Sequence, residues 1–170
     1  DPPSPNPGAG TPGSPPSNGS TPTTADRVVS NKGVLFTKNN TMPFTGTLVD
    51  SWNAENGGKK KYECAYIEGL KHGVEMRWHP NGMRSLRTEY TEGKQHGARM
   101  EWHLNGAKKS HTQFVQGNPE GNARGWHDNA KPAFHGSYTN GLAAGVVQSW
   151  WKNGNRATYQ NHVDGKPIGP

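Results

Sequence analysis

Histidine is the residue with the clearest potential for chemistry in this chain, because eight of its 170 residues are histidines. His79, His103 and His127 recur every 24 residues, an array that suggests a metal site. If the interval places them on alternate strands of one sheet, neighbouring histidines lie about 9–10 Å apart. Zinc requires nitrogen donors about 2.0–2.1 Å from one ion, so a single column cannot chelate it. We therefore expect a solvated polar face, no metal and no other cofactor; a pair from two columns, such as His111 with His127, remains an open alternative.

Catalysis has no candidate constellation in the sequence. Ser, His and Asp are all present, but no strand–turn–helix motif surrounds a serine as in the nucleophile elbow of hydrolases. The one cysteine, Cys64, stands between Tyr62 and Tyr66 at an apolar position, where a buried thiol is ordinarily inert. A single cysteine also excludes a disulfide framework within the chain. We expect a protein that is not an enzyme.

Charge and hydropathy exclude two further classes. Lys and Arg total 19 against 13 Asp and Glu, which gives a net charge of +6. Mean hydropathy is −1.01, and no apolar run approaches the length of a membrane span, so we expect no transmembrane segment. Basic residues gather near one predicted edge, at Lys59–Lys61, Arg84, Arg87 and Lys108–Lys109. Glutamates are interleaved with them, and cross-strand ion pairs explain these charges as well, so nucleic acid is not expected as a partner.

The elements that position these residues come from one repeat of 24 residues. Tyr66, Gly69, Gly73, Trp78 and Asn81 each have counterparts at this interval through most of the chain. Asn-Gly between alternating segments predicts a two-residue type I′ turn, which needs positive φ at both residues. Each repeat therefore reads as two strands, one tight Asn-Gly turn and one longer glycine-bounded loop. We expect an all-β protein, an elongated single-layer antiparallel meander of hairpin repeats.

Strand alternation suggests one apolar and one polar face. In the strand before the first Asn-Gly turn, Val74 shares the apolar face with Met76 and Trp78, while Glu75 and Arg77 point the other way. We expect the tryptophan column to pack the apolar face, with Trp102 mostly buried, and Trp151 to stand on the polar face as a candidate contact. The residues expected to bind a partner on the sheet are Trp78, Trp102, Trp126, Trp150, Trp151 and Tyr138.

The first 26 residues differ from the rest in composition. They hold 8 of the 14 prolines and form a Pro/Ser/Thr/Gly-rich segment, which we expect to be extended, to make few contacts with residues 27–170, and to bind a partner through Pro2, Pro3, Pro5 and Pro7. The β-repeat domain is placed at residues 27–170, with a degenerate first copy at about 32–61 and regular copies from about 62. The last copy stops before its second strand, so the strand near residues 155–163 is expected to be an edge.

The unit Tyr-x-x-Gly-x-x-x-Gly, followed by Trp-x-x-Asn-Gly, resembles the variant (type 2) MORN repeat of bacterial antitoxin-like proteins. The resemblance covers about residues 32–170, and Val34–Lys38 with Pro43–Gly46 resembles the opening of those proteins. It implies an elongated, twisted, single-layer sheet that serves as a scaffold in protein–protein or membrane-surface contacts. The sequence departs from the pattern at Asn129-Ala130, at Asn118-Pro119 and in an insertion near residues 53–61.

Together these features favour a non-enzymatic exported scaffold or accessory subunit. It would bind a larger protein complex, with a membrane-embedded complex as one form, through its sheet and N-terminal segment. We expect an extracytoplasmic location, in the periplasm or at the cell surface, where a processed N-terminus could also tether it to a membrane. Two alternatives remain open: a protein that binds carbohydrate or cell-wall ligands through exposed aromatics, and a cytoplasmic antitoxin-like partner. The oligomeric state does not follow from the sequence.

Overall fold

The computed structural model describes residues 23–24, 28–31, 33–38 and 41–169. Pro2, Pro3, Pro5 and Pro7, and with them nearly all of the segment predicted at residues 1–26, lie outside the described residues. The described strands are β1 Thr23–Thr24, β2 Val28–Asn31, β3 Val34–Thr37, β4 Gly46–Ser51, β5 Lys60–Ile67, β6 Leu70–Trp78, β7 Arg84–Thr91, β8 Lys94–Trp102, β9 Lys108–Val115, β10 Asn118–Trp126, β11 Pro132–Thr139, β12 Leu142–Trp150, β13 Arg156–Val163 and β14 Lys166–Ile168. A single turn of 3₁₀ helix, Ala54–Asn56, lies in the insertion of the first copy. No helix among the described residues has the length and apolarity to cross a bilayer.

Strands β4 to β14 form one open sheet in which every strand is hydrogen-bonded to its neighbours in sequence. All of these pairings are antiparallel, so the predicted all-β single-layer meander is confirmed. The short β1 adds to the outer edge of β4 in parallel, with Thr23 opposite Leu48 and Thr24 opposite Val49. These two residues of the predicted tail therefore contact the sheet.

The two kinds of turn are the reverse of the prediction. Ile67 pairs with Leu70 across a two-residue turn in which Glu68 and Gly69 have φ of 49° and 76°. The same pair of positive φ values recurs at Glu92–Gly93, Gln116–Gly117, Asn140–Gly141 and Asp164–Gly165. In the first Asn-Gly turn, by contrast, only Gly82 has a positive φ. The tight type I′ turn therefore lies where we expected the longer loop, and Asn-Gly lies in the longer connection.

A small core forms at the N-terminal end of the sheet. Phe44, Leu48, Cys64 and Tyr66 are buried there, and Val28, Leu35 and Tyr62 pack against them. The β2–β3 hairpin is held on this end because the Leu35 amide donates to the Gly69 carbonyl at 2.9 Å and the Phe44 amide donates to the Leu35 carbonyl at 2.7 Å. Among the described residues, Ala123 is the one buried apolar residue outside this cluster.

Strand register gives the sheet two faces of mixed polarity, and the predicted division into an apolar and a polar face is wrong. Glu75 lies directly opposite Thr88, and both are buried, whereas Val74 is exposed. We call the side that carries Glu75 and Thr88 the Glu75 face. The opposite side, the Arg124 face, is defined by a row of residues paired from strand to strand: Met76, Arg87, Met100, His111, Arg124, His135, Gln148 and Tyr159.

The C-terminal edge also differs from expectation. The predicted edge strand, β13, pairs through Asn161, His162 and Val163 with the three-residue β14. The outermost strand is therefore β14, which covers only the last part of β13. The preceding residues of β13, from Arg156 to Gln160, have no described strand on their outer side.

Candidate functional site

The tryptophans of the repeat stand together at one edge of the sheet. Trp78, Trp102, Trp126 and Trp150 are the last residues of β6, β8, β10 and β12, immediately before the Asn-Gly connections, and all four are half-buried. Trp102 is mostly, but not completely, removed from solvent, in agreement with the prediction. Because a sheet with both faces open supplies little covering mass, an aromatic column on it stays partly accessible.

The histidines that follow these tryptophans link each repeat to the next. The Nε2 atoms of His79, His103 and His127 lie 2.8–3.0 Å from the backbone carbonyl oxygens of Trp102, Trp126 and Trp150. A carbonyl only accepts, so Nε2 carries the proton and donates. In the first copy the indole Nε1 of Trp52 donates in the same way to the Trp78 carbonyl at 3.2 Å. The solvated polar face expected for these histidines is therefore wrong, since their rings are half-buried and bonded.

The asparagines of the same turns form a second ladder. Asn105 accepts the Ala107 amide through Oδ1 at 3.0 Å and donates from Nδ2 to the Asp128 carbonyl of the following turn at 2.8 Å. Asn81 and Asn129 repeat both bonds. The 24-residue interval of Asn and His was visible in the sequence, but only the register shows that both residue types reach the next turn.

The sequence-predicted contact residues divide into three groups. Trp151 is 64% exposed and lies beyond the end of β12. Tyr138 pairs with Gly121 and falls on the Glu75 face, away from the tryptophans. By alternation, Trp78, Trp102, Trp126 and Trp150 fall on the Arg124 face.

Trp126 and Trp150 share one cavity. A cavity of about 300 Å³ is lined by both indoles, by the Arg124 and His135 side chains, and by Gly125, Pro132 and Phe134. The structure thus brings two predicted residues together with two that sequence reasoning did not single out. Arg124 could have been recognised from its own column, because the equivalent residues are Met76, Met100 and Gln148.

A buried ionic cluster occupies the Glu75 face near the hairpin. The Glu75 carboxylate is inaccessible to solvent and accepts Lys71 Nζ at 2.5 Å and Arg77 Nε at 2.5 Å. Burial acts to raise the pKa of Glu75, but the hydrogen bonds and charges of Lys71 and Arg77 outweigh it and hold the pKa below its ordinary value. Lys71 Nζ also lies 4.8 Å from the ring centroid of Tyr90 and 5.8 Å from that of Tyr62.

The thiol of Cys64 belongs to the same region. It is fully buried and donates to the Ala65 carbonyl at 3.3 Å. Burial raises the pKa of this thiol to about 11, so little thiolate forms near neutral pH. The Tyr62 and Tyr66 hydroxyls bond to each other at 2.7 Å, and burial raises the pKa of both. The thiol and the two hydroxyls therefore belong to a closed cluster with a structural role.

The basic residues at the turn edge are largely paired. Lys60 bonds Glu63 at 2.8 Å, Lys61 bonds Asp50 at 2.9 Å, Arg87 bonds Glu89 at 2.5 Å and Lys109 lies 3.4 Å from Glu101. The predicted cross-strand pairing therefore holds for Lys61 and Lys109, whereas Lys60 and Arg87 pair with glutamates of their own strands. Within the part of the chain that the structure describes, no three His, Cys, Asp or Glu side chains converge as metal ligands.

No protein-family model matches the chain, and no curated protein matches it.

Proposed function

We propose that this protein is a non-enzymatic scaffold or accessory subunit that binds a larger protein or membrane complex through its β-repeat sheet. One observation carries the proposal. Beyond the core cluster under the β2–β3 hairpin, Ala123 is the one described apolar residue that is buried. A chain that builds nine further strands, β6 to β14, without enclosing a core presents both faces of them for contact.

The end of the sheet farthest from the hairpin adds to this argument. Trp151 and Tyr159 are 64% and 57% exposed, and Leu142, Val163 and Ile168 are exposed as well. Exposed aromatic and large aliphatic side chains on neighbouring strands are typical of surfaces that a partner covers. The repeat resembles the variant MORN unit, whose scaffold role supports the same proposal. The proposal includes an extracytoplasmic location and a contribution of residues 1–26 to binding.

Site-specific photocross-linking tests this function. A photoreactive phenylalanine analogue is placed at Trp151 or at Tyr159, in cells that express the protein from its own gene. The same analogue at Met42, which is 70% exposed at the other end of the sheet, is the matched control. We expect one discrete protein adduct from positions 151 and 159 and a weaker adduct, or none, from position 42. Equal labelling of many proteins from all three positions would contradict a specific partner.

A second function is favoured by the cavity between Trp126 and Trp150. Two indoles beside an arginine and a histidine are also the side chains that a carbohydrate or cell-wall ligand needs. A glycan array separates the two functions. Saturable binding of one glycan class, lost in Trp126→Ala and kept in Trp151→Ala, would favour the carbohydrate function over the scaffold.

A further inference from the structure

We propose that the cavity beside Arg124 receives an acidic side chain, Asp or Glu, from the protein partner, so that Arg124 is the central specificity residue of the interface. The inference rests on the proposed scaffold function and names the chemistry of the partner segment. It is carried by the geometry of the Arg124 face.

Arg124 stands between two histidines on that face. It pairs directly with His111 on β9 and with His135 on β11, and directly paired residues point to the same side of a sheet. Adjacent strands are about 4.7–4.9 Å apart, so the three side chains form a short line across three strands. His111 and His135 each have a buried Nε2 atom without a hydrogen-bond partner among the described residues. Rotation of the imidazole about its broad terminal torsion can turn that nitrogen toward a group bound at Arg124, to which it donates in the Nε2–H tautomer.

The charge of Arg124 is uncompensated, unlike that of its counterparts nearer the hairpin. Arg77, Arg87 and Arg99 each contact a glutamate two residues away along their own strands. The equivalent positions on either side of Arg124 are Asn122 and Trp126, and no carboxylate pairs with Arg124 within the described part of the chain. An exposed guanidinium offers five donors in a planar fork that matches a carboxylate.

Arg124 is also a departure from the repeat. Methionine occupies its position in two earlier copies, at Met76 and Met100, and glutamine follows at Gln148. The fold therefore accepts an uncharged residue of similar length at this position, and the arginine is not required by the sheet.

The cavity favours a side chain over a long ligand. Its volume of about 300 Å³ is at the lower end of small-molecule sites. Trp and Arg are the residues most enriched in the energetic centres of protein interfaces. An acidic side chain of the partner would neutralise the charge of Arg124, and the partner residues next to it would pack against the indoles of Trp126 and Trp150.

Selection from a random peptide library tests the proposal, because it assumes nothing about the partner's identity. Peptides of 12 residues displayed on phage are selected on the intact protein and then measured on Arg124→Met, which installs the residue of the earlier copies. Arg84→Met is the matched control, since Arg84 is another exposed arginine and lies opposite Trp78 at the same edge. Equal thermal midpoints establish that both variants fold.

We expect the selected peptides to be enriched in Asp or Glu next to an aromatic or large aliphatic residue. Their affinity should fall about tenfold or more on Arg124→Met, as for loss of a charge partner, and stay unchanged on Arg84→Met. Arg124→Lys, which keeps the charge but loses the fork, should bind with intermediate affinity.

Three results would overturn the proposal: selected peptides without an acidic excess, equal affinity for Arg124→Met, or no enrichment at all. Binding of polygalacturonate that is lost in Arg124→Met, without any peptide binding, would also overturn it and assign the cavity to acidic glycans. The scaffold function is judged separately, because cross-linking from positions 151 and 159 that persists in Arg124→Met keeps the function and rejects only this site.

Discussion

At the scale of single residues, the protein buries a charge beside the one core cluster that the described residues form. Glu75 is fully buried on the Glu75 face near the β2–β3 hairpin, and two cations share its carboxylate. Desolvation of such a group is offset only while both partners remain. The same column carries Arg99, Ala123 and Val147 in later copies, so the cluster belongs to the hairpin end and is not a property of the repeat.

Replacing Glu75 with glutamine should lower the free energy of unfolding by about 3 kcal/mol, because Lys71 and Arg77 lose their shared partner in a buried site. Glu63→Gln is the matched control, since the Lys60–Glu63 pair is more than a third exposed and should contribute less than about 1 kcal/mol. Urea unfolding at pH 7 measures both variants. A smaller effect for Glu75→Gln than for Glu63→Gln would refute the assignment.

The Glu75 cluster also predicts a pH dependence. The pKa of Glu75 is lower in the folded protein than its ordinary value, so its contribution is complete above about pH 5. It is lost as the pH falls through the lowered pKa of the folded state, where the carboxylate takes up a proton. The stability difference between wild type and Glu75→Gln should therefore shrink below pH 4, and a constant difference would contradict this linkage.

At the scale of the elements, hydrogen bonds made by the turns join one repeat to the next. The connections that contain Asn81, Asn105 and Asn129 bond through asparagine to the next connection, and through histidine to the tryptophan carbonyl just before it. At the opposite edge, the glycine amides of the type I′ turns reach the preceding repeat, as Gly93 does to the Lys71 carbonyl at 2.9 Å. Both edges of the sheet are therefore tied along its length.

The asparagine ladder can be tested by comparing two copies. Asn105→Asp keeps the Oδ1 acceptor for the Ala107 amide but removes the Nδ2 donor to the Asp128 carbonyl, so it should cost about 1 kcal/mol, the value of one hydrogen bond. Asn153 accepts the Asn155 amide in its own turn, and its side chain makes no bond to a later turn among the described residues. Asn153→Asp should therefore have little effect on the urea midpoint. Equal losses would show that the ladder does not connect the repeats.

Ala130 offers a substitution that should stabilise the protein. It has φ of 63° at a position where the other copies have glycine, and an L-residue is strained in this left-handed region. Ala130→Gly should raise the free energy of unfolding by about 0.5–1 kcal/mol. Ala65→Gly, at a position of β5 that pairs with both Thr47 and His72, should instead lower it by about the same amount. A thermal midpoint that falls for Ala130→Gly would show that the turn imposes no strain.

The strands were predicted correctly from the sequence, but the residues that share a face and the positions of the tight turns were not. The 24-residue interval determines strand count and order, because a hairpin repeat has few ways to pair. The turns were exchanged because Glu and Gln at the type I′ positions have no preference for positive φ, whereas Asn-Gly has a strong one and was weighted accordingly. The faces were misassigned because Met76 pairs with Arg87, a register that alternation within one strand does not reveal. Arg124 departs from its sequence column, but its position between His111 and His135 follows only from the strand register.

At the scale of the whole molecule, residues 1–26 contribute one described element to the fold, the edge strand β1. Thr23 and Thr24 add two residues to the outer side of β4. The sequence of this segment contains no large apolar side chain that could join the core, so its role is expected in association and not in stability.

A chain that begins at Arg27 should therefore have the same thermal midpoint as the intact protein, within error. Its recovery in co-purification with the native complex should be lower, because Pro-rich segments bind grooves at a low entropic cost. The intact chain with Pro2, Pro3, Pro5 and Pro7 changed to alanine separates a specific contact from a spacer. Equal recovery of all three forms would show that the segment is passive.

The sequential pairing of the sheet has a mechanical consequence. Each strand of the sheet is paired with its neighbours in sequence, so a force applied between the two ends opens these pairings one after another. The force therefore peels off one hairpin at a time and does not shear the whole sheet at once. Starting from the three-residue β14, each 24-residue repeat released would lengthen the chain by up to about 80 Å at full extension. In optical tweezers the protein should thus extend in a series of nearly equal low-force steps; a single cooperative rip would contradict this. If one end of the molecule were held while the other was pulled, it would lengthen by one repeat at a time and keep its remaining repeats folded.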